Sequence, residues 1–321
     1  MARWGITLPL TDGGLAAQRE PLARLRSAGY ADAWSAEVAQ YDAFTPLVLA
    51  NEWEPGMNLG TAIVPAFTRG PATLAVSAAA MAELAPGRFT LGIGSSSDVI
   101  VSKWNSVPFE RPYYRTRDVV RFLRMALAGE KVDREFDTFA VRGFRLASPP
   151  AEVPKILVAA LREQMLRMAG RESDGAIINW LSPEDAGKVV PIVGEDKEIV
   201  ARVFVAPVTD RSAFLEGARR AIAAYLNVGV YADFHRWLGR GEQLEQMWEL
   251  WARGDRAGAV RAIPEDVVDA LVVGGTADQC RRRIAEYFDN GVSVVTLAVM
   301  PFGVDPLEAA LSLAPRAAEG D

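Results

Sequence analysis

Short apolar runs recur along the chain, each followed by a longer stretch in which apolar positions return at helical spacing. The runs predict strands at 4–8, 31–35, 58–64, 89–93, 155–159, 176–179, 200–205 and 294–299. Between and after them the spacing predicts helices at 15–28, 43–52, 71–85, 112–128, 162–171, 183–193, 211–226 and 276–290. The stretch 57–97 shows the logic best. Two apolar runs, closing on Pro65 and on Gly94-Ser95-Ser96-Ser97, flank an alanine-rich helix that Pro71 starts and Pro86-Gly87 stops. Strands without polar alternation, joined by helices, belong to a parallel sheet buried on both faces. Eight such units predict an α/β fold of the (β/α)8 TIM-barrel type, with 1–321 as one domain and functional groups beyond the carboxyl ends of the strands.

Two segments interrupt the alternation. Residues 132–147 alternate and carry turn-like charges, which predicts a small hairpin. Residues 230–273, rich in tryptophan and charge, predict extra helices before the last unit. Insertions of this kind commonly shape a substrate pocket.

Composition narrows the chemistry. A net charge of -6 with no sustained basic stripe argues against nucleic acid, since Arg281, Arg282 and Arg283 fan around a helix. The longest apolar runs are too short to span a bilayer, and no basic start leads into an apolar leader, so a cytoplasmic protein without a membrane partner is expected. Cys280 is the only cysteine and reads as a buried thiol. His235 is the only histidine, in an amphipathic helical setting, which excludes multi-histidine zinc sites; no metal is expected.

The series WGITLPL, GYADAWSAE, LGTAIVPAFTRGP, GRFTLGIGSSS, ILVAALREQMLRMAG and DGAIINWLSPED resembles, in order and over nearly the whole chain, the bacterial luciferase-like flavin and deazaflavin oxidoreductases. It is most similar to the actinobacterial subgroup expected to use coenzyme F420, in which the run VIVSKWNSVPFERPYYRTRDVVRFLRMALAGEKV is also familiar. The resemblance implies a luciferase-like barrel, commonly a homodimer paired through early helices. It also implies hydride transfer between F420 and a small organic substrate. FMN is the alternative cofactor, in a monooxygenase that uses oxygen and draws reductant from a separate cofactor reductase. A non-catalytic flavin or deazaflavin carrier is the third reading.

The same resemblance implies a non-proline cis peptide at Ala62-Ile63, with Val64 beside it, in a bulge against the cofactor ring; the residues alone would read as a buried strand turning at Pro65. For the cofactor phosphate, Ala159-Ala160-Leu161-Arg162-Glu163-Gln164-Met165 joins a strand to a helix, where free amides and the helix dipole favour an anion. Arg162 adds a charge, while Glu163 stands where relatives often have glycine and opposes a phosphate unless it points outward. Gly94, Ser95, Ser96 and Ser97 offer close backbone approach and hydroxyls to phosphate or substrate. A sugar-phosphate dehydrogenase of the family has an acid where this chain has Ser97 and a histidine where it has Val38, so that mechanism is not expected.

Proton-transfer candidates are Glu37, Tyr41 and Asp42, with Asp12 after the first strand. A carboxylate shielded by aromatic rings can be raised toward neutrality. In the competing reading Asp42 caps the following helix and Glu37 pairs with an arginine. Trp104, Phe109, Tyr113, Tyr114, Asn179 and Trp180 form an expected aromatic rim for an apolar or planar substrate. Lys103, Arg111 and Arg115 are candidates for the acidic tail of F420, or simply solvated charges.

Overall fold

The computed structural model describes residues 2–315. Eight parallel strands form a closed barrel: β1 (Arg3–Leu8), β2 (Asp32–Ser35), β3 (Asn58–Thr61), β4 (Phe89–Gly94), β5 (Lys155–Ala159), β6 (Gly175–Asn179), β7 (Glu198–Ala206) and β8 (Val294–Val299). Each pairs with the next, and β8 returns to β1. Around them lie α1 (Arg19–Ser27), α2 (Thr45–Trp53), α3 (Pro71–Leu84), α4 (Pro112–Leu127), α5 (Glu163–Glu172), α6 (Pro183–Val193), α7 (Arg211–Leu226) and α8 (Ala277–Asp289). The expected helix at 15–28 divides into a short 3-10 turn, Leu15–Gln18, and α1. Pro21 explains the division, because its missing N–H is harmless only in the first turn of a helix.

The barrel interior is filled in layers. At the amino ends of the strands Arg3 bonds to Asp32 and Glu198, Lys155 also pairs with Glu198, and Asn58 donates to Asp32. Above this ionic floor Trp34 packs with Leu157, Ile177, Val200 and Val294, and Ala62 and Ile63 close over that cluster. Gly60 is required here, since a Cβ would overlap the Trp34 indole.

The third strand is not continuous over 58–64. Its ladder to β4 holds Leu59 to Phe89 and Gly60 to Thr90, then resumes with Val64 to Ile93 and Pro65 to Gly94. One extra residue is therefore accommodated on the β3 side, as in a β-bulge. Within the break the Ala62–Ile63 peptide is cis. The Thr61 side chain replaces the lost ladder: its Oγ1 donates to Gly92 O at 2.8 Å and accepts from Gly92 N at 2.8 Å.

Both insertions take the expected form. Val132–Glu135 and Ala140–Phe144 make an antiparallel hairpin. The second insertion holds helices Gly229–Trp237, Gly241–Ala252, Arg256–Arg261 and Glu265–Leu271, then the strand Val272–Gly274 pairing beside β7. It is tied to the barrel by buried Asp185 at the start of α6, which receives Arg240 at 2.6 Å. The outer side of α3 leaves Val76 and Leu84 exposed. Among the described residues no helix is long and apolar enough to cross a membrane.

Because a Cβ on Gly92 would overlap the Thr61 carbonyl oxygen and meet Ile177, Gly92→Ala is expected to cost about 1–3 kcal/mol. Urea denaturation measures this, and wild-type stability in the variant would contradict the role given to the Thr61–Gly92 contact.

Candidate active site

The bulge sits at the carboxyl end of β3 and is gripped from β2. Ala62 N donates to Ser35 O at 2.6 Å, and Glu37 N donates to Ile63 O at 3.1 Å. The Ser35 hydroxyl in turn donates to Ala43 O, fixing the loop that carries Glu37.

The side chain of Glu37 is held by Arg69, whose Nε and Nη2 lie 2.9 and 2.7 Å from Oε2, with the Thr68 hydroxyl at 3.4 Å from Oε1. Glu37 is thus paired with an arginine, the competing reading of its sequence position, and the pair anchors the bulge loop. Asp42 accepts from the amides of Phe44 at 2.8 Å and Thr45 at 3.0 Å, and so caps the start of α2. Partial burial alone would raise its carboxyl, but the bonds from Thr45 and Phe44 together with the Arg69 charge outweigh that and hold it below its ordinary value. Tyr41 joins Glu37, Asp42, Pro65 and Ile100 around an open crevice of about 370 Å³ beside the bulge.

Gly94 to Ser97 turn away from the barrel next to this crevice. Ala66 N donates to Gly94 O at 2.8 Å, and Ser96 takes a left-handed conformation with φ 63°. Ser97 opens the wide π-type turn Val99–Trp104, its Oγ accepting from Ile100 N at 3.4 Å. A Cβ on Gly94 would lie 2.9 Å from that of Ala159 and 3.3 Å from Ile63, so glycine here lets β4 pack closely against β5 and the bulge.

One strand further on, β5 ends at Ala159 and α5 begins at Glu163. Ala160 N is used by Ile177 O at 3.1 Å, while Leu161 and Arg162 are followed by a helix start that no side chain caps. The first-turn amides, including those of Gln164 and Met165, have no acceptor within the helix. Glu163 turns along the helix to Arg167 at 2.8 Å. Arg162 reaches Asp233 on the inserted helix Gly229–Trp237 at 3.1 Å. That helix also holds Asn179 through Tyr231 at 3.1 Å.

A bulge with a cis peptide at the end of β3, an uncapped helix after β5 and an inserted helical cover stand at one end of this barrel. A family model described as luciferase-like monooxygenase matches residues 3–293. The chain belongs to the luciferase-like monooxygenase family. A Mycobacterium tuberculosis protein provisionally named coenzyme F420-dependent oxidoreductase is 26% identical over 326 residues, covering 92% of each chain. The 5,10-methylenetetrahydromethanopterin reductase of Methanolobus tindarius is 27% identical over 273 residues, 82% of this chain and 83% of that one. Among solved structures, the coenzyme F420 dependent tetrahydromethanopterin reductase from Methanopyrus kandleri superposes with a TM-score of 0.80 at 22% identity, covering 98% and 97% of the two chains.

The residues of the expected aromatic rim make several separate contacts in this luciferase-like barrel, and Tyr113 and Tyr114 meet edge to face at 5.2 Å. Trp180 is only 1% exposed and stacks on Phe204 at 3.9 Å, so it belongs to the core under the inserted helices. Phe109 packs on Phe67 at 5.1 Å, and the Tyr113 hydroxyl receives Arg171 at 3.2 Å. Trp104 is 55% exposed on the π-type turn. Of the tail candidates, Arg115 donates to Ala66 O at 3.1 Å, Arg111 donates to Asp137 O at 2.8 Å, and Lys103 remains exposed near Asp98. Sequence reasoning missed Arg69, Tyr231 and Arg202. Arg202 alone had a visible signal, a charge inside the apolar run IVARVFVA.

Cys280 is buried, which pushes its thiol up to about 11. Buried His235, on the helix that carries Tyr231 and Asp233, is pushed down to about 3, first by burial and then by the Arg240 charge, against the opposing pull of Asp185 and the Trp180 backbone. Its folded value lies below the ordinary 6.5, so this group leaves stability unchanged above pH 6.5 and reduces it as pH falls from there toward 3. As the sole histidine it gives one imidazole signal by NMR, expected to stay neutral from pH 7 to 5; titration near 6.5 in the folded protein would contradict the burial.

Proposed function

We propose that the open end of this barrel binds coenzyme F420 and that the protein is an oxidoreductase moving hydride between that coenzyme and a small organic substrate. The reading rests on the Ala62–Ile63 bulge, an apolar ledge two strands from the uncapped start of α5. Support comes also from the F420 in the name of the Mycobacterium tuberculosis relative. The residues fit such a group. Gly94 lets β4 pack closely against Ile63 of the ledge and Ala159 of β5, and the hydroxyls of Ser95 and Ser96 have no partner among the described residues.

Bound deazaflavin supplies a ring carbon that accepts or donates hydride. The chain supplies orientation and shielding. In this reading Ile63 and Ala62 support one face of the ring, with Val64 fixing the ladder behind them. Glu37, which follows β2 and is held by Arg69, grips the bulge. The amides of Gln164 and Met165 receive the phosphate, and Arg162 adds charge to that site. Glu163 does not oppose it, because it is turned to Arg167. Tyr41 lines the adjoining crevice as a polar group near the substrate.

Fluorescence titration of the cofactor-free protein with F420 and, separately, FMN tests the assignment. F420 is expected to bind more tightly, and Arg162→Ala to weaken it by about tenfold. Tight FMN binding with no F420 binding would refute the proposal and favour an oxygen-using flavoprotein.

A further inference from the structure

Charges on the inner face of the barrel are paired at its floor, where Arg3, Lys155, Asp32 and Glu198 satisfy one another. Four residues higher on β7, Arg202 breaks the pattern. It lies on the same inward face as Glu198 and Val200, in register with Asn179 on β6 and Thr296 on β8. Its Nε is buried and has no hydrogen-bond partner, and no carboxylate pairs with its guanidinium among the described residues. The ring of Phe204 lies 4.9 Å from its guanidinium carbon, and its charge also acts on the buried Tyr231 hydroxyl. The neighbours in register are neutral and already engaged, Asn179 with Tyr231 and Thr296 with Thr7. A half-buried cation without an anion is costly to keep unless a ligand supplies one.

Position says which ligand. In the closed order of eight strands, β7 is four strands from β3 in either direction, so Arg202 stands across the barrel from the Ala62–Ile63 bulge. On the cofactor reading above, a ring lying on the bulge leaves the substrate between itself and Arg202. We propose that Arg202 anchors the substrate and that the substrate is a carboxylic acid, its two oxygens taken by the guanidinium fork. The planar fork of a guanidinium matches a planar carboxylate through two parallel hydrogen bonds. A single cation among neutral neighbours suits a single negative charge better than a phosphate dianion. The Phe204 ring and the Trp180 ring stacked on it are buried core that backs this anchor.

Isothermal titration of the full-length protein with benzoate and with uncharged benzamide tests the anchor, and F420 titration of the same samples tests the ring site independently. Benzoate is expected to bind about tenfold or more tightly than benzamide. Arg202→Gln is expected to abolish that preference, while Arg202→Lys keeps part of it and both variants bind F420 within about twofold of wild type. Arg202→Met, closer in volume, serves if the glutamine variant does not fold. Unchanged benzoate binding in these variants, or no benzoate binding by wild type, would overturn the proposal. So would a loss of F420 affinity as large as the loss for benzoate, which would give the cation to the cofactor. If wild type binds benzoate through Arg202 but does not bind F420, the cofactor reading fails and the carboxylate anchor stands.

Discussion

The exchange of two hydrogen bonds between the Thr61 hydroxyl and the Gly92 backbone is the contact on which this barrel's open end depends. A parallel strand that gains a residue loses ladder bonds, and buried amides left without partners would penalise the break. Here a side chain takes over the ladder for one step, so the strand can depart at Ala62–Ile63 and rejoin β4 at Val64. The substitution works only beside a residue without a Cβ, because Gly92 lies against the Thr61 carbonyl. Ser35 and Glu37 complete the grip from the other side. The outcome is an apolar ledge held from both neighbouring strands.

Charge is distributed unequally along the barrel axis. The closed end spends its carboxylates and cations on one another, which gives a plug and leaves nothing to bind. The open end pairs Glu37 with Arg69 and Arg162 with Asp233, both on its rim, while Arg202 stays unmatched on the inner face. The insertion is part of this arrangement rather than an appendage. Tyr231 and Asp233 reach down from one helix to β6 and to the start of α5, and Arg240 fixes the next turn of chain to α6. Another crevice, about 470 Å³ between α7 and α8, lies elsewhere, and its Arg211 and Arg283 are occupied by Glu265, Asp269, Glu184 and Glu286.

Much of the architecture could be read from periodicity, because strands buried on both faces leave unbroken apolar runs and helices between them restore the longer period. The hairpin and the inserted helices were equally visible. The position of the cis bond came through family resemblance; nothing in the residue types of LGTAIVPA separates a bulge from a strand that turns at Pro65. Pairings across distant loops were not legible. Glu37 meets an arginine that follows the third strand, 32 positions away, and spacing along the chain carries no sign of it. The cover over Trp180 was not legible for a related reason: the residue follows β6 directly, and the helices packed over it are inserted only after α7. Arg202 could have been found, since an arginine within a buried strand calls for an explanation that no neighbour in sequence supplies.

The central claim is that the Ala62–Ile63 ledge carries the ring of a deazaflavin. A crystal structure of the protein soaked with F420 tests it most directly. The account expects the ring within van der Waals distance of Ile63 and the phosphate at the first-turn amides of α5. Ring density away from the ledge, or phosphate density away from α5, would contradict it.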